Sequence, residues 1–238
     1  MRRETQNILL VLLGGALLKI SFTGTYLRYV KPSHQWLLIL GGVVMILLAA
    51  VSIVREIRGA RDLDGHGHSH PARSAWLLLL PVLAVFLVGP PALGADSVER
   101  AAGNAPTPPS TEGEGSALFP ALPAADPIGL PLSEFATRAA WDRAHSLDDR
   151  DAQLTGFVVQ EGDDTYVARL AIGCCAADAF PVKIRLLGEE LSHLKDDSWI
   201  EVVARLRPGT ATKANEYVPS VTVRSVRSIQ EPEDPYEH

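Results

Sequence analysis

Hydrophobic residues fall into two regimes along this chain. In the first 95 positions they come in long unbroken runs, over residues 8–27, 36–54 and 74–93, each long enough to cross about 30 Å of hydrocarbon at about 1.5 Å per helical residue. After residue 131 they come in short alternating runs, at 152–160, 165–172, 180–187, 199–206 and 218–229. In the third of these Val182, Ile184 and Leu186 alternate with Lys183 and Arg185, the pattern of a strand with one wet face. The pattern predicts transmembrane helices followed by a mainly β domain. Between the regimes, seven prolines from Pro106 to Pro131 leave neither periodicity nor enough apolar surface to offset ordering, which predicts a disordered tether.

These signals divide the chain into a membrane domain at 1–95, a proline-rich tether at 96–131, an extracytoplasmic β domain at 132–230 and a tail at 231–238. The soluble part opens on a helix over 132–147, with Ser133 as its N-cap. A short helix or turn from Gly188 separates the third and fourth strand runs. Five short strands with one intervening helix predict a small barrel of the oligonucleotide/oligosaccharide-binding (OB-like) shape, folded independently from about Pro131.

Within the first apolar run Lys19 is the only charge. It is either a functional intramembrane group or a side chain that snorkels to the interface. The glycine pairs Gly14-Gly15 and Gly41-Gly42 permit the first two helices to pack closely. Arg2, Arg3, Arg55, Arg58, Arg61 and Arg73 outnumber Arg28, Lys31 and Arg100 on the other side. The positive-inside rule then predicts a multi-pass protein of the bacterial cell membrane, with a cytoplasmic N-terminus and an extracytoplasmic C-terminal domain. Its first partner is therefore the lipid bilayer. From Ser133 onward 12 Lys or Arg stand against 19 Asp or Glu, and so acidic a surface repels a phosphate backbone, which excludes general nucleic-acid binding.

Two places concentrate ligand chemistry. His66, His68 and His70 alternate with small residues in the loop after the second run, so an extended backbone puts three imidazoles on one side, either as a weak, separate cytoplasmic metal site or as part of a solvated polar loop. Cys174 and Cys175, the only cysteines, are followed by Asp178 between two strand runs. Thiolates are soft donors and a turn can bring the carboxylate round, so the trio is a candidate Zn²⁺ site, with His145 or His193 available to complete the shell. Alternatively the neighbouring cysteines close a reducible vicinal disulfide, as in a membrane-anchored thiol oxidoreductase, or fill core as thiols. No nucleophile motif assembles Ser, His and Asp, and no catalytic residue or organic cofactor is assigned.

The stretches LTGFVV, YVARLAIGCCAADAFPVKIRL, LKDDSWIEVVARLRPG and YVPSVTVRSVRSIQEPEDPYE resemble the C-terminal domain of the bacterial DUF1980 (YcgQ-like) family, and the layout of membrane spans before that domain is similar too. The resemblance places the family's motif on Cys174, Cys175, Asp178, Ala179 and Pro181, and a later one on Lys195, Asp196, Asp197 and Trp199. It implies a non-enzymatic accessory subunit of a separately encoded multi-span permease, with a connection to metal homeostasis.

Overall fold

The computed structural model describes residues 3–59, 91–100, 119–188, 191 and 193–238. It divides into two compact units, Met1–Ala92 and Leu93–His238.

The first unit is a helical hairpin. Helix α1 spans Arg3–Phe22 and α2 spans Gln35–Gly59, joined by 3-10 turns at Thr25–Arg28 and Pro32–His34. The expected first span over 8–27 ends five residues early. Gly24 sits at φ 77°, a left-handed conformation that stops a helix, and the Thr23 hydroxyl donates to the Lys19 carbonyl in the last turn. Lys19 thus lies in the terminal turn of α1. Among the described residues one helix, Pro32–Arg55, is long and apolar enough to cross a membrane, and Gln6–Phe22 is a shorter apolar helix. The expected third span at 74–93 lies outside the described residues except for its last three positions, and His66, His68 and His70 lie outside them entirely.

One glycine of each pair makes the helix contact. A Cβ on Gly14 would fall 2.9 Å from the Gly42 carbonyl oxygen, and one on Gly42 would fall 2.9 Å from Leu18 Cγ. Gly15 and Gly41 face open space. Gly42→Leu should therefore splay the hairpin, read as loss of a Gly14-to-Gly42 spin-label contact, whereas Gly41→Leu should leave it intact. Equal effects would contradict this crossing.

The second unit is built on a seven-stranded mixed sheet in the order β1-β2-β5-β6-β4-β3-β7, with β2 also paired to β3. The strands are β1 (Ile128–Gly129), β2 (Asp151–Glu161), β3 (Asp164–Ala171), β4 (Phe180–Leu187), β5 (Trp199–Leu206), β6 (Ser220–Ser228) and β7 (Tyr236–Glu237). This corrects the expectation of an OB-like small barrel of five strands with a short helix. Two further strands join the sheet, and β1–β2, β3–β7 and β4–β6 are parallel pairings that an antiparallel alternation does not signal. The α-helix α4 (Leu132–Trp141), packed on the sheet, precedes β2 and stops six residues short of its expected end, at Asp142. Asp142 ends it because its carboxylate instead accepts the Ala144 and Ser146 amide N–H groups.

The core lies between the sheet and α4: Phe135, Leu154, Val158, Val167, Ile184, Ile200 and Val202 are buried in it. Three segments outside the alternating runs are fastened to this unit. Helix α3 (Ala95–Arg100) buries Val98, and the Ala95 amide donates to Asp197 Oδ1 at 2.7 Å. Gly94 permits that approach, since a Cβ there would meet Asp197 Oδ1 at 2.3 Å. Residues 119–131, drawn from sequence as tether, lie on the domain: Arg138 bonds the Pro120 carbonyl at 2.9 Å, Arg150 bonds Ala125 at 2.9 Å, and Ile128 is fully buried.

The last five residues form the third fastened segment. β7 runs parallel to the end of β3, Ile172 N–H donates to the Glu237 carbonyl at 2.9 Å, and Tyr236 is buried. The Glu237 carboxylate accepts the Leu132 and Ser133 amides at 2.6 and 2.8 Å, taking two of the unsatisfied donors at the start of α4. This replaces the expected cap by Ser133; the residue at the cap position is Pro131.

Candidate metal centre

Strands β3 and β4 pair antiparallel up to Ala171 with Phe180, and the connection between them carries both cysteines. Its conformation is set by one carboxylate. Asp178 Oδ1 accepts the Gly173 and Cys175 amides at 3.0 and 3.4 Å, and Oδ2 accepts the Cys174 amide at 2.8 Å. Cys175 is the N-cap of a 3-10 turn at Ala176–Asp178, where its side chain and that of Asp178 cap each other's backbone. A short polar side chain three residues after the cap is what such a box requires, so the Cys-Cys-x-x-Asp spacing has a local structural cause.

Geometry places Cys174 on the surface and Cys175 half-buried, with the two sulfurs 3.7 Å apart. The ligand atoms of Cys174, Cys175 and Asp178 all lie within 4.8 Å of one another, a cluster able to coordinate a metal ion. Two Zn–S bonds of about 2.3 Å at a tetrahedral angle put their sulfurs about 3.8 Å apart. The observed separation matches that edge without rearrangement.

Charge sharpens the chemistry. The Cys174 thiol is pushed up to about 11, first because it donates to the Asp178 carboxylate and next because it donates to Cys175. Asp178 is held below the usual carboxylate range by the same thiol and by the three amides. A thiol so held is a poor nucleophile at neutral pH, which weighs against the oxidoreductase alternative, since exchange requires thiolate. A dication reverses the balance by replacing the proton against a carboxylate that favours positive charge.

The two histidines expected to complete the shell do not join the group among the described residues. His145 is exposed and faces Asp148 at 3.8 Å, in the loop after α4. The later motif is architectural: Asp196 Oδ1 accepts the Gln160 amide at 2.7 Å, Asp197 holds the start of α3, and Trp199 packs edge-on against Phe157. Gly173 and Glu237 went unread in the sequence. The first gives an amide to Asp178 and stands where a Cβ would come 3.2 Å from Oδ2, and the second anchors the end of β3 next to the loop.

Among solved structures, one described as an aspartyl-tRNA synthetase from Leishmania major Friedlin is similar over 50% of this chain and 23% of its own, at 10% identity and a TM-score of 0.27, a likeness too slight to carry an argument. No curated protein matches. The DUF1980 N-terminal domain matches residues 5–103, and the DUF1980 C-terminal domain matches residues 142–238, which includes the whole cysteine loop. With both domains matched in order along one sequence, the chain belongs to the DUF1980 family.

Proposed function

We propose that this chain is a non-enzymatic accessory subunit of a multi-span permease, which captures Zn²⁺ at Cys174 and Cys175 on the extracytoplasmic side of a bacterial membrane. The observation that carries this reading is the pair of sulfurs, that of exposed Cys174 and that of half-buried Cys175, set at a tetrahedral edge beside an ionised carboxylate. Two sulfurs from one chain supply only half of a tetrahedral shell, so no single chain encloses the ion, and an ion held in this way can be captured and released. The apolar α2 and the family membership support the membrane setting.

The test is Zn²⁺ titration of the reduced full chain in mild detergent, comparing wild type with Cys174→Ser, Cys175→Ser and Asp178→Asn. Each cysteine variant should lose affinity by roughly a hundredfold or more, as expected when one of two thiolates goes. Asp178→Asn should lose less, because its first task is to hold the loop. Equal weak binding by all four folded proteins would sink the reading. Affinity should also rise with pH, because the ion displaces the Cys174 proton. That one proton gives up to about tenfold per pH unit below its folded value of about 11. A flat profile between pH 6 and 8 would mean that Cys174 is not a ligand.

The topology carries its own test. Reporter fusions at Gly65 and Gly113 should show opposite sidedness, the first cytoplasmic and the second extracytoplasmic. The permease partner should co-purify with the full chain at native expression; recovery of the chain alone under several metal conditions would remove the accessory role.

A further inference from the structure

We propose that the cysteine loop is a contact between two copies of this chain, bridged by one Zn²⁺ that takes both sulfurs from each. The inference rests on the metal reading above and adds what fills the open half of the shell. Among the described residues of one chain the donors run out quickly. Asp178 is committed to three amides, with Oδ1 accepting two of them, so it serves the loop before it serves an ion. Among the described residues no histidine and no other carboxylate joins the group.

Donors from outside the chain can complete the shell, and a second copy presents the same tetrahedral edge. Four thiolates are a preferred Zn²⁺ shell, and a two-fold axis through the ion makes the contact self-complementary. The surroundings permit that approach. Cys174 is exposed, and its neighbours in the loop, Gly173, Ala176 and Ala177, are small residues. At the foot of the loop Phe180 is 39% exposed, the one exposed large apolar side chain among the described residues of the second unit. An aromatic ring next to a metal-bridged two-fold gives the contact an apolar centre.

The experiment uses the reduced full chain in mild detergent, with chelator-treated and Zn²⁺-titrated samples compared by native mass spectrometry and metal analysis. Zn²⁺ should double the protein mass at one ion per two chains, and Cys175→Ser should abolish the doubling. Phe180→Asp, which leaves all donors in place, should still bind Zn²⁺ but raise the dimer dissociation constant by roughly tenfold or more, the size of one lost buried aromatic contact. A His66→Ala/His68→Ala/His70→Ala variant should still double. One ion per chain at unchanged mass would overturn the bridge and leave the metal reading standing. No bound ion would overturn both, and doubling that survives loss of both cysteines would assign it to another site.

Discussion

A chain that begins at Pro131 should unfold at a clearly lower urea concentration than one that begins at Leu93, although both contain every strand visible as alternation in the sequence. The shorter chain loses Val98, which is 2% exposed, and Ile128, which is fully buried. Burying a branched apolar side chain contributes about 1.5–3 kcal/mol, so the two together are worth about 3–6 kcal/mol. That is a large part of the roughly 5–15 kcal/mol by which a domain is stable. Buried Arg138 also loses its Pro120 acceptor, and Asp197 loses the amide of Ala95. Trp141 and Trp199 report the transition by fluorescence, one on α4 and one on β5. Coincident unfolding curves would show that α3 and residues 119–130 are passengers. Val98 and Ile128 carry buried contacts to positions before Pro131, which a proline-rich composition conceals.

What could be read from the sequence follows from how far each signal reaches. Val182, Ile184 and Leu186 announce β4 because alternation is local, and all five strand runs coincide with β2 to β6 within two residues. The cysteine loop was legible for a similar reason, since its cap and its carboxylate lie within six consecutive residues. The two-residue strands β1 and β7 carry no period at all. They exist because Ile128 and Tyr236 are buried by strands more than twenty residues away in sequence. Sheet composition suffered accordingly: β1, β7 and the parallel β4–β6 pairing are long-range facts that five local patterns do not carry. His145 and His193 illustrate the opposite error. Being of the right residue type and in the right half of the chain put neither of them beside the sulfurs.

Glu237→Ala should be among the most damaging single substitutions in the second unit, at a position that reads as the end of a polar tail. Its carboxylate bonds two amides at the start of α4, and a charge-assisted bond of this kind contributes about 1.5–3 kcal/mol. Alanine leaves the Leu132 amide, on a fully buried residue, without its acceptor, so a loss of about 3 kcal/mol or more is expected. Glu237→Gln keeps one carbonyl oxygen and should lose about half as much, which separates the hydrogen bonds from the packing of the side chain. The same strand positions the cysteine loop. β7 pairs Tyr236 with Leu170 and Glu237 with Ala171, and the Glu237 carbonyl takes the Ile172 amide one residue before Gly173 gives its own to Asp178. Freeing β7 removes the partner that fixes the end of β3, and with it one of the two strand ends holding the sulfurs 3.7 Å apart. Glu237→Ala should therefore weaken Zn²⁺ binding as well as folding, under conditions where circular dichroism still shows the sheet. Hydrogen exchange at Ile172 and Gly173 should rise with it. Unchanged exchange there, alongside a stability loss confined to α4, would mean that the tail caps the helix without governing the loop.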